Sequence, residues 1–280
     1  MLRKIREKLI EAYLSDEDKN RVDRALKNLA STGFDPWGVS PPTLKASLAS
    51  TIWFYRKYFR VTTQGIKNIP QGRCLLIANH SGQIPIDAML IGTAALLELD
   101  PPRLVRGMVE RWAPSLPFVS TFFSRCGQVT GDVHNAKTLL ENEECVMVFP
   151  EGTGGSGKTI FERYELQKFG TGFVRLALET KTPIIPIGVI GCEEMLPSLS
   201  RLQPLAKSLG VPYIPILPSL FPLPTKITLR FGEPILFEGN PDEPDAEVYR
   251  KVETVRTAIR AELETGLKAR GERIFTGAGI

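Results

Sequence analysis

The sequence predicts an α/β fold: a mainly parallel central sheet flanked by helices, with an N-terminal amphipathic helical extension. Three observations predict it. Short unbroken apolar runs, Cys74-Leu75-Leu76-Ile77-Ala78 and Cys145-Val146-Met147-Val148-Phe149 among them, read as strands buried on both faces. Segments with helical periodicity separate these runs, as crossover connections between parallel strands require. A chain of 280 residues with 42% apolar and 24% charged residues can bury a sizeable core. We divide it into a helical, membrane-interfacial segment (1–60), a main α/β domain (61–240) and a C-terminal helix packed on that domain (241–280).

In the first fourteen residues Leu2, Ile5, Leu9, Tyr13 and Leu14 share a helical face beside Arg3, Lys4, Arg6 and Lys8. Such a helix either packs on the domain or lies on anionic lipid. A polar stretch follows, then a turn at Asp35-Pro36-Trp37-Gly38. A helix from Pro42 to Phe59 carries Trp53, Phe54, Tyr55, Tyr58 and Phe59 next to Arg56, Lys57 and Arg60. Rings beside basic residues suit a bilayer interface as well as a core.

The alternation then begins. Strands are expected at Arg73–Ala78, Arg103–Val109, Gln128–Thr130, Cys145–Phe149 and Ile184–Ile190. Helices are expected at Pro85–Leu97, Trp112–Ser124, Asn135–Asn142 (capped by Asp132 or Asn135) and Gly172–Thr180. Ser208 to Thr225 carries five prolines, which no regular helix tolerates; it reads as a buried irregular connection or as an apolar lip that touches lipid. Lys226–Phe231 alternates as a half-exposed strand. The last helix sets Val248, Val252, Val255, Ile259, Leu263 and Leu267 on one core-facing side.

Composition narrows the function. A net charge of +4 is too small for a dedicated nucleic-acid binder, so no nucleic acid is expected as a partner. The four cysteines, Cys74, Cys126, Cys145 and Cys192, have no zinc-type or Cys-x-x-Cys spacing and read as buried free thiols. With two histidines in the chain, no metal site is expected. The charged start lacks the apolar region of a signal peptide, and no apolar run is long enough to span a bilayer, so an intracellular protein is expected.

The sequence is organised around Leu75-Leu76-Ile77-Ala78-Asn79-His80-Ser81-Gly82-Gln83-Ile84-Pro85-Ile86-Asp87. An apolar strand ends in Asn79-His80, and Pro85 opens a helix. His80 thus stands at the carboxyl end of a strand, the edge where open α/β sheets bind ligands. A histidine with a nearby carboxylate is equipped for general base catalysis, the carboxylate fixing the tautomer and stabilising the imidazolium. No nucleophile elbow accompanies it, so the imidazole would activate a substrate hydroxyl directly. A continuous helix from His80 to Asp87 would hold their Cα atoms about 10 Å apart. Contact therefore requires Gly82–Pro85 to be non-helical, with Pro85 first in the helix and Asp87 third. His134, on a polar helix start, reads as solvated.

A second constellation, Phe149-Pro150-Glu151-Gly152-Thr153, also follows a buried strand and aims Glu151 at the same sheet edge. Together, Asn79-His80…Asp87 and Phe149-Pro150-Glu151-Gly152-Thr153 resemble the phospholipid/glycerol acyltransferase family, which includes the lysophosphatidic acid acyltransferases. Ser156-Gly157-Lys158, Pro183-Ile184-Ile185-Pro186-Ile187 and Phe231-Gly232-Glu233-Pro234-Ile235 resemble further blocks, so the likeness runs from about Val61 to Glu238. It implies a glycerol-phosphate acyltransferase-like sheet. It also implies transfer of a fatty acyl group from acyl-CoA or acyl carrier protein to a glycerolipid or lysophospholipid hydroxyl. That reaction needs no cofactor beyond the acyl donor and takes place at a membrane lipid surface. By the resemblance His80 is the base and Asp87 its partner. Asn79, Ser81, Arg125, Glu151, Gly152, Thr153 and Lys158 serve the substrate, on a peripheral or monotopic protein of the cytoplasmic membrane face.

The chain departs from the family pattern in three places. Six residues separate His80 from Asp87 where the family has four, which resembles members closer to diacylglycerol acyltransferases. Gly154 stands where an arginine commonly follows Phe-Pro-Glu-Gly-Thr, and the second block's arginine falls near Val133. Arginine forks match phosphate oxygens, so Lys158 or Arg125 is the candidate replacement for meeting an acceptor phosphate. Two rival readings stand beside this one. Gly152 to Thr159 also spells a P-loop, which would make the chain a nucleotide-binding protein; and a relative that has lost catalysis would bind lipid alone.

Overall fold

In the computed structural model, which describes residues 2–26, 29–81, 84–110, 119–202 and 213–271, the apolar runs assemble into one seven-stranded sheet. In chain order its strands are β1 (Thr62–Gln64), β2 (Cys74–Ala78), β3 (Val105–Val109), β4 (Val129–Thr130), β5 (Cys145–Val148), β6 (Ile184–Ile190) and β9 (Thr228–Phe231); a separate ribbon pairs β7 (Ser200–Arg201) with β8 (Pro215–Ile216). The sheet order is β1-β9-β6-β2-β5-β3-β4. The five strands from β6 to β4 are parallel, whereas β9 runs antiparallel to β6 and β1 parallel to β9. The sheet is thus mainly parallel, with a reversed edge.

Ten helices surround it among the described residues: α1 (Leu2–Tyr13), α2 (Asp16–Ala25), α3 (Pro41–Trp53), α4 (Ile86–Glu98), α5 (Val119–Arg125), α6 (Val133–Glu141), α7 (Thr153–Ser156), α8 (Gly172–Thr180), α9 (Cys192–Met195) and α10 (Asp245–Arg270). Because strand side chains alternate, Leu76, Ala78 and Met147 pack with α4 on one face while Leu75, Ile77 and Val146 pack with α6, α8 and α10 on the other. Burial on both faces is what makes these strands unbroken apolar runs. A third cluster joins Val22, Leu44, Leu48 and Ile52 of the N-terminal helices to Leu96 of α4. All four cysteines are buried free thiols.

Several elements differ from the sequence expectation. The polar stretch after Leu14 contains α2, opened by Ser15, whose hydroxyl accepts from Asp18 N (3.1 Å) while Asp18 accepts from Ser15 N (3.2 Å). The helix expected to continue to Phe59 ends at Trp53 and widens into a π-helical turn, Phe54–Tyr58. That turn brings both Tyr55 and Phe59 into the core and leaves Trp53 half exposed. Asp132 rather than Asn135 caps α6, accepting from His134 N (2.8 Å). Of the helix expected at Trp112–Ser124, residues 119–125 are helical and 111–118 lie outside the described residues. Residues 203–212 of the proline-rich segment also lie outside them, and 213–225 are irregular apart from β8. Among the described residues no helix is long and apolar enough to cross a membrane.

The topology positions the site. From β2 the chain crosses to β3, passing the place later filled by β5; from β5 it crosses back over β2 to β6. Outside the carboxyl ends of the strands where such a reversal occurs, the loops part and a crevice opens. Ile77 of β2 pairs with Val148 of β5, so three residues on, His80 and Glu151 leave neighbouring strands side by side.

Candidate active site

Helix α4 begins at Ile86, with Pro85 as its N-cap, one residue later than expected; Asp87 is its second residue. Ile84 and Pro85 precede the helix, and 82–83 lie outside the described residues. Asp87 is therefore not held a helix length from His80: its Oδ2 lies 2.7 Å from His80 Nδ1. The carboxylate is wholly buried, and Oδ2 also accepts from Ser81 N (2.8 Å) while Oδ1 accepts from Ala88 N (2.8 Å). With Nδ1 committed to a carboxylate, Nε2 is the nitrogen that can take a proton. The ring stacks on Phe149, with centroids 4.3 Å apart. Burial pulls the imidazole pKa down, but the charge and hydrogen bond of Asp87 and the charge of Glu151 outweigh it, against a smaller opposing effect of Lys158. The net shift is upward from 6.5.

Glu151 grips the His80 loop from behind. Its Oε1 accepts from His80 N (2.8 Å), and its Oε2 accepts from Gln167 N (2.8 Å) and lies 3.5 Å from Lys158 Nζ. Lys158 in turn lies 2.8 Å from Glu193 Oε1, and Glu193 Oε2 accepts from Tyr164 N (2.6 Å). All three charged side chains are buried. Burial raises the Glu193 carboxyl above the ordinary range, with Lys158 opposing the shift. A buried carboxylate–ammonium cluster holds only when its lone pairs are satisfied, and here backbone N–H groups satisfy them.

Gly152 takes φ +52°, outside the range comfortable for a side chain, and starts the short turn α7 at Thr153. Gly155 approaches closest: a Cβ there would lie 2.6 Å from Glu151 Cβ and 2.9 Å from His80 Cβ. Asn79 is fully buried and bridges β2 to β6, donating to Val189 O (3.1 Å) and accepting from Val189 N (2.7 Å). The structure thus brings His80, Asp87, Ser81, Glu151, Gly152, Thr153 and Lys158 together around one loop pair, with Asn79 anchoring its base. Arg125 is elsewhere: its guanidinium sits 3.9 Å above the Phe34 ring and donates to Gly38 O.

The P-loop spelling does not form a nucleotide cradle. Lys158 is turned into the Glu151–Glu193 cluster, and Thr159 caps a single 3-10 turn, Ile160–Glu162, through Glu162. In a P-loop these residues would open a long helix and face phosphate. No group of three potential ligands for a metal ion occurs among the described residues. Sequence reasoning missed Gly155, Gln167, Tyr164 and Glu193. For Glu193 a signal existed, since Glu193-Glu194 stand three and four residues beyond the carboxyl end of a buried strand.

The family described as Acyltransferase matches residues 60–190, which contain His80, Asp87 and Glu151. An uncharacterized protein of Mycobacterium tuberculosis is 36% identical over 261 residues, covering 88% of this chain and 71% of its own. The "DGAT1/2-independent enzyme synthesizing storage lipids" of Gallus gallus is 27% identical over 180 residues, 63% of this chain and 52% of that protein. The crystal structure of the 1-acyl-sn-glycerophosphate (LPA) acyltransferase, PlsC, from Thermotoga maritima shares the fold, with TM-score 0.55 and 18% identity over 97% of this chain and 100% of that one. A strand-end histidine paired with a helix-start aspartate, the in-register Phe-Pro-Glu-Gly turn and these likenesses together show that the chain belongs to the acyltransferase family.

Proposed function

We propose that this protein transfers a fatty acyl group from acyl-CoA or acyl carrier protein to a hydroxyl of a glycerolipid or lysophospholipid. The observation that carries the reading is the 2.7 Å contact between His80 Nδ1 and the buried Asp87, beside the Glu151 turn. The acceptor hydroxyl gives its proton to His80 Nε2 as its oxygen attacks the thioester carbonyl. The tetrahedral intermediate then expels the thiolate, which takes the proton back from the imidazolium. Asp87 keeps the tautomer and stabilises that imidazolium. Glu151 holds the His80 loop, and Gly152 and Thr153 line the acceptor side. No metal enters the scheme.

The reaction takes place at a membrane surface, with the protein bound peripherally on the cytoplasmic face. Half-exposed Trp53 and the exposed Leu220 and Phe221 support this, together with Arg60, whose guanidinium donates to Pro224 O (2.8 Å) of the same proline-rich segment. Tyr58 ties the two segments, donating to Pro222 O (2.6 Å) and packing edge-on against Phe221. The storage-lipid name of the chicken relative supports including neutral acceptors.

The test is purified protein with labelled acyl-CoA or acyl-ACP and a panel of lysophospholipids, glycerol 3-phosphate and neutral glycerides. We expect transfer to one class, abolished in His80→Ala with the fold intact by circular dichroism. A fully active His80→Ala variant would falsify the base assignment. Wild-type protein that binds lipid yet moves no acyl group would favour a non-catalytic relative.

A further inference from the structure

A second concavity lies on the same edge of the sheet. Helix α10 runs alongside β6 in the same direction: Gly188 packs against Glu262 and Leu263, and Ile190 against Gly266. The last turn of α10 therefore passes beyond the carboxyl end of β6. There Lys268 and Arg270 face the 160–164 turn across a cleft of 680 Å³ lined also by Phe161, Arg163, Tyr164 and Leu267. That volume is in the range of small-molecule sites and well above what one phosphate fills.

The lining is cationic and aromatic. Arg270 is paired with Glu194 (2.6 and 2.9 Å), whereas Arg163 and Lys268 have no ion pair among the described residues. The Phe161 ring is 76% exposed at the rim, and the Arg270 guanidinium lies over the Tyr164 ring. Unpaired guanidinium and ammonium groups bind phosphate oxygens, and an exposed ring offers a stacking face to a heteroaromatic base. The turn that lines the cleft is tied to the His80 loop through buried contacts: Tyr164 N donates to Glu193, Glu193 pairs with Lys158, Lys158 lies beside Glu151, and Glu151 accepts from His80 N.

We propose that this cleft binds the phosphorylated adenine-nucleotide end of coenzyme A in the acyl donor, an inference that rests on the acyl-transfer reading above. The flexible arm of the donor then crosses the carboxyl edge of the sheet, from the face that carries α10 to the face that carries α4, and delivers the thioester to His80. The same chemistry separates the two substrates. The nucleotide is held by cations at the end of α10, and the acceptor enters beside Gly152 and Thr153.

Titration calorimetry with CoA and with adenosine 3′,5′-bisphosphate tests the binding without turnover. In the R163E/K268E double variant the affinity for both should fall at least roughly tenfold, as expected for loss of hydrogen bonds to charged groups. F161A should weaken both ligands less. In assays the KM for acyl-CoA should rise, and the penalty should be confined to donors that carry the nucleotide, sparing an acyl thioester of N-acetylcysteamine. Unchanged CoA affinity and KM in a folded double variant overturn the proposal. So does a CoA affinity that responds to deletion of residues 272–280 and not to charge reversal, which would assign the cleft to the chain's own tail. CoA binding that is sensitive to charge reversal, without transfer to any acceptor, leaves the cleft standing and removes the acyl-transfer reading. Transfer from acyl-ACP with no CoA binding does the reverse.

Discussion

The imidazole of His80 is subject to opposing influences, and their balance sets when it can work. Burial favours the neutral ring, while Asp87 and Glu151 favour the cation strongly enough to lift the pKa above 6.5. A base must be neutral, so kcat/KM should rise with pH through an apparent pKa above 6.5 and then level off. In Asp87→Asn the supporting charge is gone and burial dominates. The acidic limb should then move to lower pH while the plateau rate drops by roughly the 10²–10⁴-fold range of general base catalysis. A limb that stays in place would mean that another group sets the histidine's pKa. Gly155 yields a steric prediction. A methyl group 2.6 Å from Glu151 Cβ and 2.9 Å from His80 Cβ must push those atoms apart. Gly155→Ala should therefore cut turnover far more than it lowers the melting temperature, and equal effects on both would count against a positioning role. His80 and Glu151 were legible in the sequence because each directly follows an unbroken apolar run. The Lys158–Glu193 pair was not, since it joins residues far apart in the chain that no local pattern relates. Arg125 shows the converse: a plausible phosphate ligand by sequence neighbourhood, it is occupied by Phe34 of the N-terminal segment.

Among the elements, α10 and β6 form the most extensive helix–strand contact, and Gly188 permits it. A Cβ at Gly188 would meet Glu262 Cβ at 2.9 Å and the Leu263 backbone N at 3.1 Å, so the helix would have to lift. Gly188→Ala should cost about 1–3 kcal/mol, the usual range for overpacking, measurable by urea denaturation. No loss of stability would mean that α10 shifts freely on the strand. Helices with a strong period and strands that form an unbroken apolar run, α8 and β6 among them, stand where the sequence put them. Elements with neither signal escaped. Helix α2 is mostly charged, and only its Ser15-x-x-Asp18 capping box announced it. Strand β1, Thr-Thr-Gln, carries no apolar signal at all, because its place comes from backbone pairing with β9. The π-helical turn after α3 was hidden for a different reason: its aromatic residues suit a regular helix equally well, and the choice is made by where Tyr55 and Phe59 can be buried.

At the scale of the whole molecule, the apolar rim gathers segments distant in sequence. Trp53 and Phe221 belong to the N-terminal region and to the proline-rich segment, and Tyr58 joins them. Rings at headgroup depth with basic residues beside them bind anionic lipid by burial and charge together. Replacing Trp53 and Phe221 by serine should weaken co-sedimentation with anionic liposomes, and raised salt should weaken it further in the wild type. Binding that is unaffected by both would argue against this rim as the lipid contact. The parallel body of the sheet was readable from alternation, whereas the reversed β9–β1 edge required knowing which late strand returns beside β6.

That edge imposes an order on synthesis. Thr62 pairs with Thr228, and β1, as the outermost strand, has β9 as its neighbour in the sheet. A ribosome must therefore release the chain through Phe231 before the strand that follows the N-terminal helices can be zipped into place. Until then its backbone groups remain an open sheet edge, the kind of surface that nascent chains shield or lose to aggregation.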